Sequence, residues 1–218
     1  MSELIILKTV KPTLVIDEGT RFFVSLREYL NAPSLPLDDP SQHHAWYPLY
    51  VSYQRELKVQ EELKTYGFET FLPMEDRVTK QDHKIVHSKE PAIHNLIFVN
   101  SYYERIRWMK MYNKVCTSIQ FMSLGGRSPR EAVIPSAQMK QFIHACERAE
   151  GNERALYLRP DEIVQYKGKL VKFVKGVFEG IEGNIQRVNK NRMVIVTLKD
   201  LISIALPVSR RDELAFIQ

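Results

Sequence analysis

The sequence has few cysteines and no long apolar run. Cys116 and Cys146 are the two cysteines in 218 residues, and without Cys-x-x-Cys spacing they indicate neither a disulfide framework nor a zinc site. We expect both to be buried structural thiols. No apolar run approaches the ~18 residues that a membrane helix needs, and the first ten residues lack the charged start and cleavage site of a signal peptide. We therefore expect a soluble, cytoplasmic protein with no membrane partner.

Motifs that place catalytic groups are also missing. No Gly-x-Ser-x-Gly or related context positions a nucleophile, so we expect neither enzymatic activity nor a cofactor. His83 and His87 are four residues apart, a spacing that can hold a metal ion on a helix. Their segment has the pattern of a hairpin and offers no third ligand, so no metal site is expected.

The composition is that of an ordinary globular protein, with 44% hydrophobic and 26% charged residues. A chain of this length suits one large or two small domains, and we favour two. The net charge of +5 is spread unevenly, with four basic and six acidic residues in 1–43, fifteen and twelve in 44–150, and twelve and eight in 151–218. The excess of basic residues in 44–218 is compatible with a nucleic-acid partner. These residues are not clustered as densely as expected in a protein that phosphate contacts alone hold on nucleic acid.

The first 43 residues have the pattern of an extension that ends in a linker. Residues 4–10 favour a strand, and residues 20–30 favour a helix with Thr20 as its N-cap. Three prolines then punctuate a Ser/Asp/Pro segment of the kind that links domains.

Residues 44–150 alternate strand and helix patterns. Strands are predicted at 46–51, 68–73, 93–99 and 115–122, with an exposed basic hairpin at 77–89 and a turn at 125–128. The first helix is predicted at 53–66 with Ser52 as its cap, and the second follows a capping box of Ser101 and Glu104. The third is capped by Ser136, and its core-facing residues are Met139, Phe142, Ile143 and Cys146.

The C-terminal part is marked by glycine. Four of the nine glycines, Gly168, Gly176, Gly180 and Gly183, fall within sixteen residues among apolar neighbours, which indicates shaped backbone rather than a flexible run. Phe178 is expected to fill the core between them. Short strands are predicted at 170–174, 185–188, 193–198 and 201–206, and this density of strands without a helix predicts a small barrel.

Several local motifs together resemble the NusG family of transcription factors, in which an NGN domain is followed by a KOW domain. Glu56 and Pro73 match NGN positions, and the glycine pattern that begins at Val171 matches the KOW motif, although Val177 replaces a common proline. The longer matches are the Trp-Tyr pair at 46–47, Pro-Ala-Ile-His-Asn-Leu-Ile-Phe-Val at 91–99 and Pro-Ser-Ala-Gln-Met at 135–139. With His94-Asn95 in place of the usual Pro-Gly, the chain looks like the UpxY subgroup, which acts on capsular-polysaccharide operons.

The resemblance implies an α+β fold: an NGN-type antiparallel sheet flanked by helices, then a small SH3-like KOW β-barrel. It covers roughly residues 44–218 and places the NGN domain at 44–150, a linker at 151–162 and the KOW domain at 163–218. The extension and linker at 1–43 lie outside the resemblance. Its KOW structural residues would be Gly176, Phe178, Gly180 and Gly183.

The implied function is transcription elongation and antitermination through contact with RNA polymerase. The family seats the clamp helices of the largest polymerase subunit in an apolar concavity, and the matching positions are Ile93 and Leu96, with Tyr50 and Ser52 less closely aligned. Lys80, Lys84 and Lys89 of the hairpin would lie near nucleic acid. Nascent RNA, non-template DNA and a ribosomal protein bound through the KOW domain are further partners that the resemblance leaves open.

Two alternatives stay open from the sequence. Ile93 and Leu96 also fit plain sheet core, and His94-Asn95 fits a turn, because asparagine tolerates left-handed backbone. For the whole chain, the alternative function is that of an RNA-binding KOW protein linked to ribosome assembly.

Overall fold

The computed structural model describes residues 44–81, 84–124, 130–159, 162, 168–199 and 201–217. The strand and helix predicted within 1–43, and the turn predicted at 125–128, lie outside the described residues. Within the described part, three α-helices and several antiparallel sheets are present, which confirms the α+β class.

The N-terminal half is built on a four-stranded antiparallel sheet with the spatial order β2-β5-β1-β6. Its strands are β1 (Ala45–Tyr50), β2 (Glu69–Phe71), β5 (Leu96–Ser101) and β6 (Gln120–Phe121). The central pair runs in register from Ala45 opposite Ser101 to Tyr50 opposite Leu96. Both central strands are almost wholly buried, because helices cover the faces of the sheet.

Three helices and two small hairpins complete this half. The helices are α1 (Glu56–Thr65), α2 (Tyr103–Tyr112) and α3 (Ser136–Ala149), and a short 3-10 helix covers Cys116–Ser118. The hairpins are formed by β3 (Met74–Gln81) with β4 (Lys84–Pro91), and by β7 (Ser123–Leu124) with β8 (Arg130–Glu131). The first of them confirms the hairpin pattern.

Alternate residues of β5 belong to two different hydrophobic clusters, as the two-residue period of a strand requires. Ile97 and Val99 enter the first cluster, which packs against α1 and α2 and also contains Leu49, Val59, Leu63, Ile106, Met109, Cys116 and Ile119. Leu96 and Phe98 enter the second cluster, which includes Trp46, Met139, Phe142 and Cys146 and continues into the C-terminal half through Val171, Phe173, Phe178, Val194 and Leu206.

The C-terminal half is a six-stranded antiparallel sheet with the order β14-β10-β11-β12-β13-β9. Its strands are β9 (Leu156–Leu158), β10 (Leu170–Lys175), β11 (Glu182–Val188), β12 (Asn191–Leu198), β13 (Ile202–Pro207) and β14 (Glu213–Phe216). The strands at both ends of this order were not predicted. Strand β9 lies within the predicted linker, yet it pairs with β13 from Leu156 opposite Ala205 to Leu158 opposite Ser203.

The three helix caps that were predicted within the described residues are wrong. No side chain caps α1, α2 or α3, and their N-cap residues are Arg55, Tyr102 and Pro135. Strand pairing explains the second case, because Ser101 stays opposite Ala45 as the last residue of β5 and α2 begins only at Tyr103. The predicted strand at 115–122 is also too long, since the 3-10 helix occupies its first half.

No helix among the described residues is both long enough and apolar enough to cross a membrane.

Candidate functional site

The N-terminal half carries a tight turn at residues 92–95, directly before β5. Asn95 has φ +67°, in the left-handed region that asparagine tolerates, so the turn alternative for His94-Asn95 is confirmed. Its side-chain amide donates to the carbonyl of Val51 at 3.0 Å, and its own carbonyl accepts the Val51 N–H at 3.0 Å. The turn is thereby fastened to the end of β1.

A buried carboxylate holds the same turn from below. Glu56, the first residue of α1, is 1% exposed, and its Oε1 accepts the backbone N–H of Asn95 at 2.7 Å. The Nδ1 of His94 lies 3.8 Å from the same oxygen. A buried carboxylate is costly unless hydrogen bonds replace its hydration, so this contact fixes both the first turn of α1 and the 92–95 turn.

Tyr53 stands on the solvent side of this arrangement. Its ring meets the His94 ring edge to face, with 4.9 Å between centroids, and its side chain is 57% exposed. The sequence placed Tyr53 inside a helix, but α1 begins three residues later, because Gln54 adopts φ +60° and the Arg55 N–H donates to the Ser52 carbonyl. The only sequence signal for an exposed Tyr53 beside this turn was its place, as an aromatic residue, at the junction between a predicted strand and a predicted helix.

The four predicted polymerase-contact residues lie beside this turn and differ in exposure. Tyr50 is 44% exposed and sits opposite Leu96 in the β1–β5 ladder. Ile93 and Ser52 are half-buried, and Ile93 packs against the second cluster. Leu96 is 5% exposed and belongs to that cluster, so it is part of the sheet core rather than an exposed side chain. We call Tyr50, Tyr53, Ile93 and His94 the contact surface.

Charged groups surround the base of the β3–β4 hairpin, next to the 92–95 turn. Arg77 and Glu90 form an ion pair at 2.7 Å, and the Ser88 hydroxyl donates to the same carboxylate at 3.2 Å. The hydrogen bond from Arg77 holds the pKa of Glu90 below its usual range. Partial burial raises the pKa of Glu75, which stands opposite Glu90 in the ladder. The base of the hairpin therefore carries the Arg77–Glu90 ion pair and, beside it, the carboxyl group of Glu75 with its raised pKa.

The three hairpin lysines predicted near nucleic acid do not share one environment. Lys89 forms an ion pair with Glu150, just beyond the end of α3. The side chains of Lys80 and Lys84 lie outside the described residues, although their backbones pair opposite Ile85 and Gln81. Among the described side chains near this end of the hairpin, those of Ile85 and Val86 are apolar and exposed.

The glycine-marked segment lies in the six-stranded sheet as a turn between β10 and β11. Gly176 and Gly180 have φ +121° and +86°, which side chains with a Cβ rarely adopt. A Cβ on Gly183 would lie 2.5 Å from the Ile195 carbonyl oxygen, so this glycine permits close approach of β12. Phe178 is 2% exposed, and its ring lies 5.5 Å from that of Phe173, so it fills the core beneath the turn.

Polar contacts fasten the six-stranded sheet to the N-terminal half. Gln138 and Gln141 of α3 donate to the carbonyls of Thr197 at 3.4 Å and Glu182 at 3.3 Å. The Lys199 ammonium donates to the Val133 carbonyl. Together with the second cluster, these bonds make α3 the element that joins the two sheets.

The remaining observations concern possible metal ligands and the similarity of the chain to known proteins. In the part of the chain that the structure describes, no group of three or more His, Cys, Asp or Glu side chains is placed to hold a metal ion. Residues 44–143 match the family model described as "Transcription termination factor nusG". The comparison with curated proteins gave no match.

Proposed function

We propose that this protein, whose residues 44–143 match the NusG family model, is a transcription elongation and antitermination factor that binds RNA polymerase through the contact surface. NusG proteins are transcription factors rather than enzymes, and in general they bind RNA polymerase. The observation that carries the proposal is the pair of exposed tyrosines, Tyr50 and Tyr53, held beside Ile93 by hydrogen-bonded backbone. The proposed partner is the clamp-helix pair of the largest polymerase subunit.

The shape and chemistry of this surface suit a helical partner. Binding energy at such interfaces is concentrated in a few aromatic and apolar anchors around a desolvated centre. Two large aromatic side chains are exposed here within four residues of each other, and the buried Leu96 stands opposite Tyr50 in the β1–β5 ladder. A partner helix would therefore bury surface that is already ordered.

The remaining parts of the chain have proposed roles in the same activity. The β3–β4 hairpin would lie near nascent RNA or non-template DNA, with Lys80, Lys84 and Lys89 steering rather than anchoring it. The six-stranded sheet is proposed to be the KOW domain, with a ribosomal protein as a candidate partner. The UpxY-like motifs at 91–99 and 135–139 support a polysaccharide-biosynthesis operon as the target.

The test is a reconstituted transcription assay on the leader and terminator of the protein's own operon. Tyr53→Ala and Ile93→Glu should each weaken binding to core polymerase and reduce read-through, because the first removes an anchor and the second requires desolvation of a charge. Met111→Glu is the matched control, because Met111 is an exposed apolar residue on α2, away from the 92–95 turn. Circular dichroism of each variant verifies the fold.

The outcomes separate the two functions that the sequence left open. Read-through that survives Ile93→Glu, or that never occurs with the wild type, contradicts the polymerase mechanism. Co-sedimentation with ribosomal subunits, without co-elution with polymerase, would favour the ribosomal function instead.

A further inference from the structure

Helix α1 carries two carboxylates that each hold an asparagine-containing turn, one at either end of the helix. At its start, Glu56 accepts the Asn95 N–H at 2.7 Å. Toward its end, Glu62 Oε1 accepts the Asn113 side-chain amide at 2.6 Å. Asn113 Oδ1 in turn accepts the backbone N–H groups of Val115 and Cys116. The two pairs share their chemistry but differ in what lies next to them.

The Glu56 pair lies under the contact surface. The turn that it fixes contains both Ile93 and His94, and the His94 ring packs against Tyr53. The Glu62 pair lies instead under the 3-10 helix at Cys116–Ser118, where no residue of the contact surface is present. Any difference between the two pairs in partner binding therefore reports on position rather than on carboxylate chemistry.

Core stability alone does not account for a carboxylate at Glu56. Its side chain is almost fully buried, and an ionised group there must regain hydrogen bonds to offset its lost hydration. An apolar residue of similar volume would fill that space without this requirement, although the Asn95 N–H would then lose its acceptor. The carboxylate adds one directional hydrogen bond to the backbone of the 92–95 turn, at Asn95, the residue with the positive φ.

We propose that Glu56 is a positioning residue for polymerase binding, which acts through the Asn95 turn to hold Ile93 and the His94–Tyr53 ring pair in their binding geometry. The inference rests on the proposed function. Asn95 completes the arrangement, because its positive φ lets the N–H point at Glu56 while its side-chain amide bonds to Val51. Without the carboxylate, the turn keeps only its bonds to Val51, and the partner must supply more of its ordering on binding.

The experiment measures affinity for core RNA polymerase with the full chain, well below the melting temperature of every variant. Glu56→Ala should weaken binding tenfold or more, whereas Glu56→Gln, which keeps an acceptor oxygen, should stay within about threefold of the wild type. The matched control, Glu62→Ala, should lower the melting temperature but leave affinity unchanged.

A double-mutant cycle adds a readout that a purely structural role would not move. If Glu56 acts through Tyr53, then Tyr53→Ala should weaken binding less in the Glu56→Ala background than in the wild type. Additive effects on affinity would overturn the proposal, as would equal losses for Glu56→Ala and Glu62→Ala. Wild-type binding with an unaffected Glu56→Ala overturns this inference alone, whereas absence of wild-type binding overturns the proposed function and the inference with it.

Discussion

The two hydrophobic clusters lie on opposite faces of one four-stranded sheet, but they differ in what they join. The first packs that sheet against α1 and α2 and is complete within the N-terminal half. The second contains α3 together with the buried residues of β10, β12 and β13. One face of the sheet is therefore an ordinary domain core, and the other is shared with a second sheet.

The second cluster connects the C-terminal sheet to the N-terminal half, because it contains residues of both. Strand β9 begins seven residues after α3 ends, and it pairs with β13 as an edge strand. Tyr157 of β9 also packs against the second cluster. The segment predicted as a linker therefore contributes to a sheet, and changes in the second cluster should affect both halves.

The largest effect is expected from Phe142→Ala in α3. Phe142 is fully buried against the rings of Phe71 and Phe98, and removing such a ring typically lowers the free energy of unfolding by about 3–5 kcal/mol. Because α3 joins the sheets, hydrogen exchange should accelerate in both β5 and β12.

Met109→Ala supplies the comparison for that measurement. Met109 is fully buried in the first cluster, and its truncation should lower stability by about 2–5 kcal/mol. Its effect on sub-global exchange should be confined to β1, β5 and the helices around it. Equal acceleration of β12 exchange by both variants would remove the distinction between the clusters.

A smaller loss is expected from Gly183→Ala. The added methyl group would meet the Ile195 carbonyl oxygen at 2.5 Å and a methyl group of Val194 at 2.8 Å, and such overpacking typically costs about 1–3 kcal/mol. Chemical denaturation followed by circular dichroism should show the loss. Both tryptophans lie in the N-terminal half, so an unchanged native tryptophan spectrum would show that the damage stays local. A shifted spectrum would contradict that.

Gln141→Ala should have a smaller effect still. It removes one hydrogen bond from α3 to the Glu182 carbonyl, and a typical bond contributes about 0.5–1.5 kcal/mol net. The loss should appear as faster exchange at β11 and α3. Lys58→Ala, on the exposed face of α1, provides a surface control in which exchange at these elements should not change.

The finest comparison uses the two cysteines, because each lies in a different cluster. Burial raises the pKa of both thiols to about 12, so the reactive thiolate is scarce at pH 8 and labelling requires the protein to open. Gln141→Ala should accelerate labelling of Cys146 without changing that of Cys116. Mass spectrometry of labelled peptides distinguishes the two sites, and equal acceleration would mean that the clusters open together.

The sequence predicted the parts of the structure that depend on local pattern. The apolar run at 93–99 predicted a buried strand, which begins at Leu96, and the alternative interpretation of position 95 predicted the turn that occupies the residues before it. The spacing of Met139, Phe142, Ile143 and Cys146 predicted the face of α3 that enters the core, although Ile143 is only half-buried there. The resemblance to the NusG family was drawn from motifs that lie largely in the same part of the chain, and residues 44–143 match the family model.

What the sequence missed depends on contacts between distant residues. Strand β9 has only three apolar residues in a charged segment, and its pairing partner lies more than forty residues further along the chain. The position of Tyr53 depends on where α1 begins, which the Gln54 turn and the buried Glu56 determine together. No local pattern specifies that the carboxylate of Glu56 meets a turn 39 residues away.

The β3–β4 hairpin extends away from the contact surface as a long two-stranded ladder. Its ladder has eight residue pairs, and at about 3.3 Å per residue a strand of that length extends roughly 26 Å. The Ala92 N–H bonds to the Pro73 carbonyl at 2.8 Å beside the Arg77–Glu90 pair, so the base follows the 92–95 turn. The base of the hairpin and the 92–95 turn therefore share backbone, and a tilt of about 10° at that base would displace the described end of the ladder by roughly 5 Å.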